Sequence, residues 1–211
     1  MGVAGEHESV FTAIMHARAW GDGDSVSGAG SGLARTADLR ARLPDLLARL
    51  RVRSMLDAGC GDFYWMRAVE LPVRRYVGVD VVPELVSRLS TEHARRGRRF
   101  LHADITRDAL PKVDLVLCRE VLFHFPDDDV RRALGNLRQR TRATWLLTTS
   151  FRRRPENPPI PLGGWRPLNL EAEPFLFPPP VEEIEDLPLA EREEYADKRL
   201  CLWRFADLPL R

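Results

Sequence analysis

The stretch Asp57-Ala58-Gly59-Cys60-Gly61-Asp62 decides the reading of this chain. It closes a short apolar run, Ser54–Ala58, that reads as a buried strand. Two glycines straight after a strand let the backbone come close to a ligand, because no Cβ stands in the way. A plain strand-to-helix turn uses the same pair, so the surroundings must separate the two readings.

Downstream the pattern alternates. Tyr76–Val81, "YVGVDV", reads as a second strand, Phe100–Ala103 as a third, Val113–Cys118 as a fourth and Thr144–Phe151 as a fifth. A short helix is expected over Phe63–Leu71. Another starts at Pro83, a residue suited to a first turn, and runs to Arg96 before Gly97. A third covers Asp127–Arg140, with three acidic residues where the helix dipole favours them. Upstream, Val10, Phe11, Ile14 and Met15 give helical spacing within residues 6–20. Thr36 stands as the N-cap of a helix through about Arg51, with Leu39, Leu43, Leu46, Leu47 and Leu50 on its apolar side and Pro44 as a potential kink. Strands separated by helices predict an α/β fold: a doubly wound, mostly parallel sheet with helices on both faces and right-handed crossovers. Residues 155–180 hold nine of the 16 prolines and form a long irregular segment. Strands near Glu182–Leu187 and at Lys198–Phe205 are expected to close the sheet, seven strands in all, as a C-terminal antiparallel hairpin.

Composition excludes several functions. The 211 residues are 44% hydrophobic and 30% charged, and 32 basic against 31 acidic side chains give a net charge of +1. That balance lacks the basic footprint of a nucleic-acid binder. The clusters Arg95-Arg96-Gly97-Arg98-Arg99 and Arg152-Arg153-Arg154 are expected at a solvated surface. Cys60, Cys118 and Cys201 form neither a disulfide framework nor a zinc spacing. No apolar run reaches the roughly 20 residues of a membrane span. Glu6, His7 and Glu8 interrupt any secretory signal, so a cytoplasmic protein is expected.

The acidic residues after the strands point to a ligand. Asp80 ends strand two, and Asp104 follows strand three in "HADIT". Ligands of open α/β sheets bind beyond the carboxyl ends of the strands, and a carboxylate in the position of Asp80 suits the two hydroxyls of a ribose. A dinucleotide fingerprint needs a third glycine where Tyr64 stands, and a pyrophosphate would meet Asp57 and Asp62 with the wrong sign. No Gly-Lys-Ser/Thr follows the turn, so no Walker loop is present. S-adenosylmethionine fits better, with a ribose, an adenine amino group and a cationic ammonium that carboxylates attract.

At this point the chain resembles the class I S-adenosylmethionine-dependent methyltransferases, over roughly residues 54–151. The resemblance rests on "LDAGCGDF", "YVGVDV", "HADIT" and "DLVLCREVLFHF". It implies a Rossmann-like sheet with the methionine end of the cofactor at Asp57, Gly59 and Gly61. It also implies the ribose at Asp80 and the adenine at Asp104, with Val81, Ile105 and Arg119 beside the cofactor. Phe63 stands where many members have another glycine and is expected to narrow the methionine end. The flanks are similar to a smaller bacterial subgroup with an N-terminal "WGxGxSxSGxGS" and a late "GWRPLNL". The expected organisation is one domain over 1–211. It comprises an N-terminal helix and lid (1–35), a cofactor core (54–151), a proline-rich substrate loop (152–180) and the hairpin (181–211).

The glycine-serine stretch from Trp20 to Gly32 is read as that lid, with Ser25, Ser27, Gly28 and Ser31 facing the methionine end and Trp20 as an apolar cover. Glu120 and His124 are the candidate catalytic residues, as proton acceptor or orienting group. A salt bridge from Glu120 to Arg119 or Arg152 is the competing role. Trp165, Arg166 and Asn169 are the candidate substrate wall. No metal is expected. The acceptor is expected to be a small molecule, first a sugar or natural-product hydroxyl, then a small amine or peptide. A non-catalytic binder and a dinucleotide oxidoreductase are the rival classes. A monomer or homodimer is expected.

Overall fold

The computed structural model describes residues 5–21, 23–186 and 195–210. Its elements in chain order are α1 (Glu6–His16), α2 (Ala37–Arg49), β1 (Ser54–Ala58), β2 (Arg75–Asp80), α3 (Pro83–Glu92) and β3 (Arg98–His102). They continue with β4 (Leu115–Cys118), α4 (Asp127–Thr141), β5 (Trp145–Phe151), β6 (Glu182–Glu185) and β7 (Lys198–Arg204). The sheet order is β3-β2-β1-β4-β5-β7-β6. The first five strands are parallel neighbours, whereas β7 runs antiparallel to both β5 and β6. The strand order reverses between β1 and β4, and this is the point where such sheets open a crevice.

Alternation along each central strand fills both faces, because successive side chains point to opposite sides. Leu56, Ala58, Val116 and Cys118 join Val130, Leu134 and Leu137 of α4 on one face. Met55, Leu115 and Leu117 join Leu39, Leu43, Leu46 and Leu47 of α2 on the other. Each of those α2 leucines is at most 1% exposed, which is worth roughly 1.5–3 kcal/mol per side chain. Pro44 lies within α2 without ending it.

The expected doubly wound fold and its hairpin are present, with local differences. The helix expected over Phe63–Leu71 is only a single 3-10 turn, Met66–Ala68. Phe63 takes a left-handed φ of +61° and buries its ring against Tyr76, Phe100 and His93, so the backbone leaves the helical path at its first residue. The helix from Pro83 stops at Glu92 rather than Arg96, where Arg95 and Arg98 bridge across Gly97 at φ +83°. Thr36 precedes α2 but does not cap it. Its hydroxyl turns back to the Gly32 carbonyl at 3.0 Å. The acidic run Asp127-Asp128-Asp129 fills the first turn of α4 without a side-chain cap. Leu187, the expected end of the sixth strand, lies outside the described residues.

The proline-rich segment packs rather than dangles. Leu168, Leu170, Phe175 and Phe177 are buried in the core beside α4. Val10 and Ile14 of α1 lie against Gly163, so α1 packs on this segment. Among the described residues, no helix is long and apolar enough to cross a membrane. All three cysteines are buried free thiols.

Candidate functional site

The glycine turn after β1 is held open by its neighbours. Gly59 and Cys60 donate their N–H groups to the Val79 carbonyl, and Gly61 donates to Asp80 Oδ2 at 2.8 Å. Gly59 and Gly61 have φ of +78° and +54°, and a Cβ on Gly61 would collide with Ser27. Asp80 Oδ1 accepts from Val82 N at 3.0 Å, so the same carboxylate ties the turn to the start of α3.

A cavity of about 970 Å³, counting its open mouth, lies at the carboxyl edge of these strands. Asp57, Gly59, Gly61, Asp80, Val81, Asp104, Ile105 and Arg119 all line it, as do Trp20, Ser27 and Ser31 of the glycine-serine stretch. Asp57 is buried and accepts a hydrogen bond from the Tyr76 hydroxyl at 2.7 Å. Burial, with Asp80 nearby, nevertheless pushes its carboxyl up to about 7. Burial raises Asp80 as well, against its backbone hydrogen bonds. Asp104 Oδ1 accepts from the Thr106 amide and hydroxyl, whereas its buried Oδ2 accepts no hydrogen bond among the described residues. Arg107 and His7 stand beside that oxygen at 3.2 and 3.5 Å.

Phe63 does not line this cavity. Its left-handed backbone sends the ring into the core on the far side of the turn, which corrects the expected narrowing of the methionine end.

The glycine-serine stretch is fastened to the turn through Asp62. Asp62 accepts from Ser25 Oγ at 3.0 Å and Val26 N at 3.0 Å, and its own N–H donates to Ser27 Oγ at 3.0 Å. Arg119 holds the next part, donating from Nη2 to the Gly30 carbonyl at 2.9 Å. Trp20 stacks on His124, with ring centroids 4.5 Å apart and planes at 21°. Asp22 of this stretch lies outside the described residues.

Glu120 sits just past β4 with φ +58°. It contacts Lys198 Nζ directly and Arg119 at 3.5 Å, while Arg119 and Lys198 both also reach Asp186. Arg119 and Lys198 overcome burial and hold the Glu120 carboxyl down at about 2. The competing role, a salt bridge with Arg119, is thus present, and the ion pairs make Glu120 a poor proton acceptor near neutrality. Arg152 pairs elsewhere, with Glu171 at 2.6 Å and Glu183 at 2.7 Å.

His124 is held in a different way. Its Nδ1 donates to the Gly164 carbonyl at 2.6 Å, which leaves Nε2 as the lone-pair nitrogen. Nε2 has no hydrogen-bond partner among the described residues. Burial lowers its pKa below the usual 6.5, so the ring is neutral at pH 7.

A second cavity opens beside the first. Trp20, Ser27, Glu120 and His124 line both. Trp165, Tyr195, Phe151 and Lys198 belong to the second alone, as does Gly28. Arg166 and Asn169, expected beside Trp165, line neither cavity. Arg166 is 1% exposed and binds the Pro158 and Phe125 carbonyls and Asp127. Asn169 braces the loop against Asn157, Arg154 and Glu171. Both are framework residues: Asn169 braces the proline-rich segment from within, and Arg166 ties it to the start of α4.

Sequence reasoning missed His7, Tyr76, Lys198 and Asp186. His7, Phe11 and Met15 all line the first cavity, and their spacing of four places them on one face of α1. That face carried a signal which the apolar count alone ignored. The buried His7 ring bridges Asp104 at 3.5 Å and Asp129 at 3.3 Å.

A glycine turn, three strand-end carboxylates and a cavity meet at the switch point of this α/β domain, the edge where open sheets of this kind bind ligands. Residues 56–144 match the family described as Methyltransferase domain. Uncharacterized methyltransferases of Mycobacterium bovis and Mycobacterium tuberculosis are each 32% identical over 97 residues, covering 45% of this chain and 48% of their own. The match thus spans about half the length of these curated relatives. Among solved structures, a magnesium protoporphyrin IX methyltransferase of Synechocystis with S-adenosylmethionine bound aligns at a TM-score of 0.49. It is 17% identical over 73% of this chain and 80% of that one. The N-methyltransferase NodS of Bradyrhizobium japonicum, in complex with S-adenosyl-L-homocysteine, aligns at 0.45. It is 22% identical over 54% of this chain and 59% of that one.

Proposed function

We propose that this chain is an S-adenosylmethionine-dependent methyltransferase that transfers the methyl group to a hydroxyl of a small molecule, a sugar or other natural product. The supporting observation is the joined pair of cavities, with strand-end carboxylates in one and a neutral histidine at the boundary with the other. The residues fit the donor. Asp104 lines the cavity beyond β3, where a carboxylate suits an adenine amino group, and Arg107 and His7 beside its Oδ2 hold it in place. Asp80 lines the cavity with oxygens able to accept more than one bond each, suited to ribose hydroxyls. Asp57, beside the glycine turn, suits an ammonium group.

When bound, the donor supplies an activated methyl group on a cationic sulfur. The protein's own work is then alignment, water exclusion and proton removal. His124 Nε2 accepts the proton from the acceptor hydroxyl. Glu120 and Lys198 orient that hydroxyl as a fixed pair of opposite charges. The stretch from Trp20 to Gly32 covers the donor and keeps water out. The whole chain acts as one domain in this reading.

The test is calorimetry with S-adenosylhomocysteine and with NAD, followed by transfer of label from methyl-labelled donor. Binding of the homocysteine product and transfer of label are expected. No binding at millimolar concentration sinks the reading. Binding without any transfer would leave a non-catalytic binder, and transfer to amines alone would replace the hydroxyl acceptor.

A further inference from the structure

We infer that the second cavity takes a planar aromatic hydroxyl compound, a phenol or naphthol, rather than a sugar. This rests on the methyltransferase reading above and narrows its acceptor.

Five aromatic side chains line the cavity: Trp20, Phe123, Phe151, Trp165 and Tyr195. Trp165 meets Phe123, Phe151 and Tyr195 edge to face, with centroids 6.3, 6.1 and 5.6 Å apart. A ring that merely plugged the sheet edge would be buried, yet Trp165 is 40% exposed. The other large exposed apolar residues among those described, Leu176 and Val181, line neither this cavity nor the donor cavity. An aromatic box of this kind rewards a flat, apolar ligand with a polar edge.

The polar groups argue the same way. A sugar buries several hydroxyls, and each needs a partner to replace water. Here Glu120 and Lys198 are already paired, with Lys198 also at 3.4 Å from Asp186, so they can orient the reacting hydroxyl but have little left for further ones. His124 Nε2 offers one acceptor, enough for one hydroxyl. A phenol also loses its proton near pH 10, as tyrosine does, so an imidazole base suffices for it.

The step balances simply. The aryl O–H bond breaks, its proton going to His124 Nε2, and the oxygen pair forms the new O–CH3 bond. The S–CH3 bond breaks with its electron pair going to sulfur, which neutralises the sulfonium. His124 then returns its proton to solvent.

The experiment uses the full chain saturated with S-adenosylhomocysteine, titrated calorimetrically with 2-naphthol, decahydro-2-naphthol and methyl glucoside. Saturation itself tests the donor reading separately, since the product binds whatever the acceptor. The aromatic naphthol is expected to bind roughly tenfold tighter than its saturated analogue. Trp165→Leu should erase that preference while leaving S-adenosylhomocysteine affinity unchanged. With labelled donor, 2-naphthol should become its methyl ether. Equal binding of the two naphthols, or a preference for the glucoside, overturns the inference while the donor reading stands. Methylation of 2-naphthylamine without methylation of 2-naphthol overturns the hydroxyl part.

Discussion

Tyr76 donates its phenolic proton to Asp57 Oδ2 across 2.7 Å, although the two residues lie 19 positions apart. The parallel register of β1 and β2 makes this possible, pairing Met55 with Tyr76 and Asp57 with Gly78. The hydrogen bond lowers the Asp57 pKa, but burial and Asp80 outweigh it and leave the group titrating at about 7. Asp57 is therefore part-protonated at neutral pH, with a partner that favours the carboxylate.

A cationic ligand beside Asp57 should drive that proton off. Calorimetry of S-adenosylhomocysteine in buffers of different ionisation enthalpy is expected to show proton release at pH 6 and almost none at pH 8.5. Affinity should rise with pH up to about 8 and then level, by at most roughly tenfold per unit. Asp57→Asn should abolish the release and weaken binding, and Tyr76→Phe should move the release to higher pH. The raised pKa also fixes a stability sign. Between 3.8 and about 7 the folded protein binds the extra proton, so this group's contribution falls as pH rises through that window. Binding that releases no proton at pH 6 would remove Asp57 from the ammonium site.

The clamp at Asp62 sets the mobility of the stretch above it. Asp62→Ala removes acceptors for Ser25 Oγ and Val26 N. Protease cleavage between Trp20 and Gly32 is expected to speed up several-fold in this variant, and S-adenosylhomocysteine should slow it in the wild type. Gly61→Ala should loosen the same stretch from the other side, because its Cβ would displace Ser27. Cleavage unaffected by ligand and by both variants would mean that the stretch is no lid.

Much of this arrangement was legible beforehand. The five parallel strands announced themselves as apolar runs, and Asp57, Asp80 and Asp104 announced the edge where they end. What hid was whatever depends on distant pairing. Lys198 reads as one more alternating position of β7, and only the antiparallel pairing with β5 (Phe151 opposite Lys198) brings it to Glu120. Phe63 reads as a helix starter, and only its burial between Tyr76 and Phe100 explains why the backbone turns left-handed instead. Arg166 and Asn169 share a motif with Trp165, but a motif does not say which of its members face inward.

The group of Arg119, Glu120, Asp186 and Lys198 makes a third prediction. Glu120→Gln leaves two cations against the single carboxylate of Asp186. Breaking a buried pair in this way costs about 3 kcal/mol, readable as a lower midpoint in urea with an unchanged slope. The Glu120 pKa falls from 4.5 to about 2 on folding, so its contribution is complete above pH 4.5 and disappears as pH falls toward 2. The variant should therefore lose less stability than the wild type over that acid range. An unchanged midpoint at pH 7 would show that desolvation cancels the pairing.

His124 carries the last prediction, and its two pH effects share one cause. Burial disfavours the imidazolium, so the ring stays neutral to a lower pH than a free histidine. Methyl transfer to 2-naphthol should then be flat through neutrality and fall only below pH 6.5, with unit slope, as His124 protonates. Stability should bend at the same end. The unfolded histidine takes its proton near 6.5 while the folded one resists, so the folded state loses ground as pH drops from 6.5 to the depressed value, and no further below it. His7, lowered by the same burial, adds to the stability effect but not to the rate. His124→Gln separates the two, since it removes the base while its amide still donates toward Gly164. Its kcat is expected to fall about 10²- to 10⁴-fold, with S-adenosylhomocysteine affinity nearly unchanged and the acid limb of the rate gone. A variant that keeps both its rate and its acid limb would strip His124 of the proton and leave Trp20 stacking as its only task.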